Sequence, residues 1–417
     1  MKSQEQKNLK SRILNPKSKP RVFVGLSGGV DSAVSAALLK ERGYAVTGVF
    51  IKAWTPEGYP CTWKEDRRSA MKVAAILDIP FITLDLEKEY KKEVVDYMID
   101  EYKKGRTPNP DVMCNKEIKF GHFLKFALKS GADFVATGHY AVRSPKSDFG
   151  LTRSPTSGYQ LLEGADKNKD QSYFLWTLTQ NQLKHILFPI GHLQKEEVRK
   201  IAEKFSLPQA TRKDSQGLCF LGKVDMKEFL SRYITSKNGK VLNERGEAIG
   251  YHSGALFFTI GERHGFTITK KTTEESPLYV VAKDIKKNTI TVAPKIISPG
   301  TRKKIANGKV WPSDSEKTRE FFQEQFFSGA NSVTLNNINL TNEIPSKKLL
   351  CRIRYRQEKI KCQITPQKSN QQGEPSLQIT FTKPQMSVAP GQSLVLYLPA
   401  QAGDSDICLG GGIIENL

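Results

Sequence analysis

The amino-acid sequence predicts an α/β fold: a doubly wound parallel sheet, then a small β-rich domain, then a C-terminal β-barrel. Three observations predict it. Strand-like and helix-like segments alternate up to about residue 140, a glycine-rich turn follows the first strand, and short β runs separated by turn residues fill the chain beyond about residue 225. Sheets of the first kind bind ligands at the carboxyl ends of their strands.

The alternation starts with segment 21–26, which is short, apolar and rich in β-branched side chains. A glycine-bearing turn and a helical segment that ends at a glycine follow it. From about residue 172 the pattern becomes helical, and we assign this stretch to the first domain. The other predicted strands are 45–54, 81–86 and 133–140, and the predicted helices lie around 65–78, 87–104 and 116–130.

Changes in composition along the chain predict its domain organisation. Glycine turns and short β runs replace the helical pattern past about residue 225, and the last strands are typical of a small barrel. The predicted regions are a basic disordered tail (1–20), an α/β domain (21–222), a central β-rich domain (223–285) and a C-terminal β-barrel domain (286–417) with an insertion near 312–345.

The charge of the chain favours a polyanionic partner. Lysine and arginine number 64 against 43 aspartates and glutamates, a formal net charge of +21. Nucleic acid is the favoured partner, and a surface that is basic without function is the alternative. The tail is also basic, and we interpret it as a segment that touches RNA phosphates, with an organellar transit peptide as the weaker interpretation.

Two further properties bear on the compartment. No apolar run is long enough for a transmembrane helix, so we expect no membrane partner. Six cysteines are scattered without CxxC pairs, which argues against a disulfide framework or a zinc ribbon and for a reducing compartment. We expect a cytoplasmic protein, with an organellar matrix as the weaker alternative.

The segment 25–32 reads GLSGGVDS and lies between the first strand and the first helix. Its backbone amides and the positive helix end point at one spot, which can hold an anion. It lacks the GK[ST] ending of nucleoside-triphosphatase loops, so γ-phosphate transfer is not predicted. A simple helix cap is the alternative, because aspartate and serine favour helix starts. Asp31 is a candidate ligand for Mg²⁺, which prefers oxygen ligands.

Three other positions carry candidate functional groups. Gly138, in the sequence ATGHY at a predicted strand end, would let a nucleotide pack on bare backbone, with an ordinary strand end as the alternative. Cys114 lies at the start of a predicted helix beside a lysine, surroundings that favour the thiolate. Cys219 is flanked by glycines that permit a mobile loop. Either cysteine alone is more often a buried small hydrophobe than a nucleophile.

Together, the motifs resemble in identity and order those of the bacterial and organellar tRNA 2-thiouridylases, over about residues 21–414. The phosphate loop is similar to that of N-type ATP pyrophosphatases, which cleave ATP between the α and β phosphates and form an adenylate. The motifs are GLSGGVDS (25–32), GRTPNPDVMCNKEIKF (105–120), ATGHY (136–140), KDQSYFLWTL (169–178), KDSQGLCFLG (213–222), RYRQ (354–357), PGQSLVLY (390–397) and CLGGGII (408–414).

This resemblance implies an adenine nucleotide α-hydrolase-like catalytic domain that thiolates uridine at the wobble position of tRNA. The base would be flipped out of the stack and its 2-oxygen adenylated by ATP. Cys219 would carry a persulfide from a cysteine desulfurase or a sulfur-carrier protein and attack carbon 2. Cys114 would then form a transient disulfide with Cys219, leaving 2-thiouridine, AMP and pyrophosphate as products.

Binding residues are implied by the same resemblance. Many relatives have methionine where this chain has Ile51, and an apolar contact to adenine survives that change. The implied ATP-binding residues are Gly25, Leu26, Ser27, Gly28, Gly29, Val30, Asp31, Ser32, Ile51 and Gly138; the uridine-reading residues are Asn109, Pro110 and Asp111; and the further tRNA contacts are His139, Lys169, Asp170, Gln171, Arg354, Tyr355 and Gln392.

Three other interpretations compete with this one. An argininosuccinate synthase or a GMP synthetase amination domain would share the loop but would not need paired cysteines. A non-catalytic RNA-binding protein could share the charge and the barrel but would not need the loop. A CxxC-dependent tRNA thiolase is disfavoured because the chain has no CxxC motif.

Overall fold

A computed structural model describes most of the chain. The described residues are 19–59, 63–145, 158–212, 225–270, 277–294, 330–344, 349–367, 375–400 and 404–416. Cys219 lies outside them, as does the predicted tail except for its last two residues.

The first domain is built on a five-stranded parallel sheet with helices on both faces. Its strands are β1 (Arg21–Gly25), β2 (Ala45–Lys52), β3 (Phe81–Asp85), β4 (Phe134–Ala136) and β7 (Ile186–Leu187), in the order β3-β2-β1-β4-β7. Its helices are α1 (Val30–Glu41), α2 (Trp63–Ile76), α3 (87–103), α4 (110–129), α5 (Gln180–Leu183) and α6 (Lys195–Lys204). The predicted doubly wound sheet is confirmed.

Alternation along β1 explains how the sheet is covered on both sides. Val22 and Val24 are buried in the core that contains α1 and α6, whereas Phe23 between them packs into the core that contains α4. Because successive strand residues point to opposite faces, one apolar strand serves two layers.

Two segments of this domain differ from the sequence prediction. Helix α4 begins at Pro110 and not near residue 116, because Asn109 caps its N-terminus and proline suits the first helical position. The first part of the helical stretch predicted from residue 172 is instead a 3-10 turn (Ser172–Leu175), the short helix α5 and the edge strand β7, whereas its second part is helix α6. Most apolar residues of the first part are buried whatever their position in the stretch, so their spacing does not indicate a helix face.

The central domain follows helix α7 (Met226–Ser231) and is a five-stranded sheet in the order β10-β9-β8-β12-β11. Strand β12 pairs with both β8 and β11, so the central sheet extends nine residues past the predicted boundary at 285. The strands are β8 (Gly239–Leu242), β9 (Ala248–His252), β10 (Phe266–Ile268), β11 (Leu278–Asp284) and β12 (Thr289–Pro294).

The C-terminal domain is a barrel closed by pairing of β13 with β18. Strand β13 falls inside the predicted insertion at 312–345, and this part of the prediction is wrong, because β13 pairs with β16 and β18 as an integral barrel strand. The strands are β13 (Ala330–Leu340), β14 (Leu349–Arg352), β15 (Ile360–Gln367), β16 (Ser376–Gln385), β17 (Ser393–Leu398) and β18 (Ile407–Asn416).

A hairpin from the first domain joins the barrel sheet. Strands β5 (Ala141–Pro145) and β6 (Tyr159–Glu163) follow ATGHY, and β6 pairs with β18. Arg352 of β14 forms ion pairs at the same junction: its Nη1 lies 3.0 Å from Asp170 Oδ2 and 3.1 Å from Glu163 Oε1. The α/β domain and the barrel are therefore joined by main-chain pairing and by buried ion pairs.

Among the described residues, none of the helices combines the length and the apolar character that crossing a membrane requires.

Candidate active site

The strand order places a crevice beside β1. The chain runs from β1 outward to β2 and β3, then returns to β4 on the other side of β1. Strands β1 and β4 therefore flank the point at which the strand order reverses, and doubly wound sheets bind ligands at the carboxyl ends of the strands there. The loop after β1 is the predicted phosphate loop, and the loop after β4 is ATGHY.

Hydrogen bonds within the phosphate loop fix its shape. The Ser32 hydroxyl accepts from the Ser27 amide at 3.2 Å and donates to the Gly29 carbonyl at 3.1 Å. Gly28 has a φ of +80°, and a Cβ there would lie 2.6 Å from the Asp66 carbonyl oxygen. A side chain is excluded at Gly28 by both conformation and space. The exposed Ser27 and the start of α1 leave amides available to an anion.

A buried lysine holds the carboxylate of Asp31. Lys195 Nζ lies 2.7 and 2.9 Å from the two oxygens of Asp31, and its side chain is only 9% exposed. The Tyr140 hydroxyl donates to Asp31 Oδ1 at 2.8 Å. The Lys195 amide donates to Asp166 Oδ2 at 3.1 Å, so a carboxylate from another segment caps the start of α6. Asp31 is thus fixed by one cation and one hydroxyl.

The surroundings of Asp31 do not fit a resident magnesium site. Its carboxylate is already paired with an ammonium group, and the described residues hold no group of three His, Cys, Asp or Glu side chains that could bind a metal. Mg²⁺ prefers several oxygen ligands in octahedral geometry. The predicted magnesium role of Asp31 therefore has no support in this geometry.

Gly138 lies where the ATGHY segment meets the phosphate loop. A Cβ at this position would lie 2.7 Å from both the Asp31 carbonyl carbon and the Ser32 amide nitrogen. Gly138 therefore lets the ATGHY segment lie directly against the phosphate loop, and the close approach is to protein backbone. Ile51, near the end of β2, is half-buried against the adjoining apolar cores.

Arg212 adds a second clamp on the phosphate loop. Its Nη1 donates to the Gly28 carbonyl at 2.9 Å, and its Nη2 pairs with Asp66 Oδ1 at 2.7 Å. Asp66 lies in the first turn of α2. Arg212 therefore joins the loop to a second helix, at the last described residue before the segment that carries Cys219.

The predicted uridine-reading turn begins helix α4. The Asn109 side chain accepts from the Val112 amide at 3.3 Å and caps the helix. Burial raises the pKa of Asp111, and nearby Lys119 partly offsets the rise. Cys114 lies one helical turn beyond Pro110 and is buried in an apolar core, with 5% of its surface exposed. The sequence predicts Cys114 at the start of the helix, and this part of the prediction is wrong.

Lys116, the lysine next to Cys114 in the predicted thiolate environment, is exposed and pairs with Glu117 at 2.9 Å. A different lysine, Lys119, affects the reading turn: its charge lowers the pKa of Asp111 and also that of His139.

His139 is buried beside the crevice. Its Nδ1 lies 2.7 Å from Thr137 Oγ1, and its ring packs on Phe120 and Phe188 with centroids 5.8 and 6.1 Å away. Burial, with a smaller contribution from Lys119, lowers the pKa of His139 well below its ordinary value. His139 is thus a neutral packing residue in this structure and does not present its ring to solvent.

The segment 169–171 lies between the crevice and the barrel. The Gln171 side chain accepts from the Tyr140 amide at 3.0 Å, which fixes the end of ATGHY. Asp170 is buried against Arg352, and burial raises its pKa. Lys169 is partly exposed. The side chains of Asp170 and Gln171 therefore bind groups within the protein.

The predicted tRNA contacts of the barrel also bind neighbouring domains. Arg354 donates to the carbonyl of Ile260 in the central domain and, at 2.8 Å, to that of Ser387. The Tyr355 ring packs on Phe174 at 4.5 Å. Gln392 Nε2 donates to the carbonyls of Thr107 and Pro108 at 2.8 and 3.2 Å, directly before the reading turn.

A full-length comparison decides the family. A protein from Streptococcus mutans named tRNA-specific 2-thiouridylase MnmA is 41% identical over 407 residues, 96% of this chain and 96% of the relative. The chain belongs to the tRNA-specific 2-thiouridylase family. A relative of the same name from Halalkalibacterium halodurans is 40% identical over 399 residues, 95% of each chain. The predicted resemblance is confirmed.

Family models match the chain in three parts. They are described as a tRNA methyl transferase HUP domain (20–223), a tRNA methyl transferase PRC-barrel domain (227–294) and an aminomethyltransferase beta-barrel domain (330–414). The third match starts at the first residue of β13, in agreement with its place in the barrel. The names of the models refer to methyl transfer, whereas the 2-thiouridylase family is named for thiolation.

Two solved structures show a weak similarity to the chain. U34-tRNA thiolase NcsA from Methanococcus maripaludis is 18% identical with a TM-score of 0.31, covering 52% of this chain and 65% of that chain. NMN synthetase from Francisella tularensis is 18% identical with a TM-score of 0.31, covering 54% of this chain and 78% of that chain. Similarity at this level carries no weight for substrate or mechanism.

Sequence reasoning missed three side chains that the 2-thiouridylase site brings together: Lys195, Arg212 and Lys119. A signal existed for the first. Lys195 is the first residue of α6, where a cation opposes the positive end of the helix dipole, so it needs a compensating partner such as Asp31. Lys119 lies inside the motif 105–120 and Arg212 directly precedes the motif 213–222, but neither motif indicates which group the side chain contacts.

Proposed function

We propose that the chain catalyses ATP-dependent 2-thiolation of the wobble uridine, U34, of tRNA. Family membership over 96% of the chain supports tRNA uridine thiolation in general. The specific chemistry is supported chiefly by one observation, the phosphate loop at the sheet crevice with Asp31 fixed by buried Lys195. Such a loop binds a nucleoside triphosphate through its backbone amides and the N-terminal end of the following helix.

In the first step the uridine 2-oxygen attacks the α-phosphorus of ATP, and pyrophosphate leaves. The amides at the start of α1 hold the negative charge that develops on the phosphates, because hydrogen bonds of the Ser32 hydroxyl fix the loop before the reaction. Adenylation converts the 2-oxygen of the base into part of a good leaving group, AMP.

Uridine is recognised at the turn that begins α4. The N3–H group of uridine is a donor that cytidine lacks, and the Asp111 carboxylate is an acceptor for it. Asn109 and Pro110 fix the position of that carboxylate, because they are the cap and the first residue of the helix. The base must leave the anticodon stack to reach a buried turn.

In the second step the terminal sulfur of a Cys219 persulfide attacks carbon 2 of the base, and AMP leaves. The Cys114 thiolate then attacks the Sγ of Cys219, the bond between that Sγ and the transferred sulfur breaks, and 2-thiouridine is released. Two electrons from the cysteines reduce the transferred sulfur, leaving a Cys114–Cys219 disulfide. An external thiol reduces this disulfide before the next cycle.

Two kinds of partner follow from this chemistry. The tRNA substrate matches the net charge of +21, because counterion release from phosphates drives binding to a basic protein. A cysteine desulfurase or a sulfur-carrier protein would supply the persulfide to Cys219. The proposed catalytic unit is the α/β domain, residues 21–222.

Nucleoside mass spectrometry of unmodified tRNA, incubated with ATP, magnesium and a persulfide donor, tests this function. The wild type should yield 2-thiouridine and AMP, and Cys114→Ser and Cys219→Ser should each lose at least 100-fold of the 2-thiouridine. Cys351→Ser is the matched control, because Cys351 is a buried thiol of the barrel core with no part in the proposed chemistry.

Formation of 2-thiouridine without either cysteine would refute the two-cysteine step. If the wild type forms neither AMP nor 2-thiouridine with any tRNA, the adenylated substrate is a different molecule and the proposed function is wrong.

A further inference from the structure

A tight turn of the barrel lies against the backbone that precedes the uridine-reading turn. Gln392 Nε2 donates to the carbonyls of Thr107 and Pro108 at 2.8 and 3.2 Å. The Thr107 amide donates to the Pro390 carbonyl at 2.8 Å. Residues 390 and 392 of the barrel therefore hold residues 107 and 108 of the α/β domain through three hydrogen bonds.

Gly391, between those two barrel residues, has no room for a side chain. Its φ is +91°, and a Cβ there would lie 2.9 Å from both the amide nitrogen and the carbonyl oxygen of Thr107. Contact between the two backbones is therefore direct. The turn itself is held to strand β18, because the Gly391 amide donates to the Ile414 carbonyl at 2.8 Å.

The central domain reaches the same point. The hydroxyl of Thr107, which is buried, donates to the hydroxyl of Thr259 at 3.2 Å. Arg354 of the barrel donates to the carbonyl of Ile260, the residue that follows. All three domains meet at Thr107, two residues before Asn109.

We propose that Gln392 is a positioning residue: it holds the backbone at 107–108 so that Asn109, Pro110 and Asp111 meet the flipped uridine in register. This inference rests on the proposed function. It differs from the direct tRNA contact that the family resemblance implies for Gln392, because the side-chain NH₂ group is used within the protein. A displacement of about 1 Å at a reacting centre can cost about 100-fold in rate, so a contact behind the turn can govern turnover.

The test is Gln392→Glu, which keeps the shape of the side chain and replaces its donor with a carboxylate facing two carbonyl oxygens. Turnover is measured as AMP formed at saturating tRNA and ATP with the persulfide donor present, and tRNA affinity is measured separately without ATP. We expect kcat to fall at least ten-fold while the Kd for tRNA changes by less than two-fold. A weaker Kd with unchanged kcat would overturn the proposal, since it is the signature of a lost tRNA contact.

Gly391→Ala is the second variant, because it pushes the two backbones apart and removes no group that could touch RNA. It should reproduce the loss in kcat with an unchanged Kd. Gln363→Ala, at an exposed glutamine of the barrel, is the control and should match the wild type. Both test variants are compared by thermal melting, so that a folding defect is recognised by a lowered Tm.

A selectivity measurement separates the two proposals. Gln392→Glu should raise the ratio of AMP formed with C34 tRNA to AMP formed with U34 tRNA, because a displaced Asp111 reads N3–H less well. An unchanged ratio together with an unchanged kcat refutes the positioning role while the wild type still thiolates tRNA. Absence of any AMP from the wild type refutes the proposed function instead.

Discussion

The phosphate loop and the uridine-reading turn lie in one domain but are built in different ways. The loop is held by α1, by Lys195 and Tyr140 and by Arg212, all within the α/β domain. The reading turn is held from behind by Thr259 of the central domain and Gln392 of the barrel. The proposed nucleotide-binding loop is therefore held within one domain, whereas the proposed reading turn is held by contacts with two further domains.

This difference separates the energetics of the two halves of the site. Substitutions around Asp31 change a buried ion pair and act on stability and adenylation together. Substitutions behind the reading turn change hydrogen bonds between domains, which cost little stability but move a backbone that must be accurately placed.

The largest effect is expected at the Asp31–Lys195 pair. Asp31→Ala should reduce AMP formation at least 100-fold and leave tRNA affinity unchanged, because the pair belongs to the nucleotide side alone. The variant should also be less stable, by at most about 3 kcal/mol, because it removes the carboxylate beside a buried ammonium. AMP assays, tRNA binding and denaturant unfolding measure the three quantities.

The double variant Asp31→Asn with Lys195→Met removes both charges and serves as the control. It should recover much of the lost stability and none of the lost AMP formation. If the double variant recovered both stability and AMP formation, the ion pair would serve only to stabilise the fold. Retained AMP formation in Asp31→Ala would exclude any part for this carboxylate in adenylation.

A smaller effect is expected at Arg212, on the outer side of the same loop. Arg212→Ala should raise the KM for ATP about three- to ten-fold with little change in kcat, because it removes about 1 kcal/mol of support for the Gly28 backbone from a partly exposed site. Steady-state kinetics with varied ATP measure it. Lys204→Ala, which breaks an exposed pair with Glu41, is the control. An unchanged KM would show that the loop keeps its shape without this clamp.

A part of the fold can be predicted from the sequence when the residues that determine it are close together in the chain. Strand β1, the phosphate loop and α1 are one continuous pattern of 21 residues and were found. The segment at 172–187 was misread because Tyr173, Leu175 and Trp176 are buried between the sheet and the barrel. The pairing of β6 with β18 joins residues about 245 apart, which periodicity cannot reveal.

The same reasoning applies to the site. Gly25 to Ser32 could be predicted because the loop is a local device whose glycines have a local reason. Lys195 lies 164 residues from Asp31, and Gln392 lies 285 residues from Thr107, so their partners are set by tertiary packing. The family motifs identified Gln392 as important, but only the hydrogen bonds indicate what it holds.

His139 lies between the two regions, and its effect on function at pH 7.5 should be the smallest. It follows β4 beside the crevice, and its ring packs on Phe120 of α4, the helix that the reading turn begins. Because burial lowers its pKa, the folded protein keeps His139 neutral below pH 6.5, where the unfolded chain binds a proton. The free energy of unfolding should therefore decrease as the pH is lowered below about 6.5. His139 contributes at most about 1.4 kcal/mol per pH unit to this decrease.

His139→Phe keeps an aromatic ring in the pocket and removes the titration. Its stability, measured by urea unfolding from pH 7.5 to 5.0, should fall less steeply with acid than that of the wild type, and its tRNA affinity at pH 7.5 should be unchanged. His192→Phe is a weaker comparison, because His192 is less buried and burial lowers its pKa less strongly. Equal slopes for His139→Phe and wild type, with a loss of tRNA affinity, would place the imidazole on the RNA surface and make His139 part of the reading region.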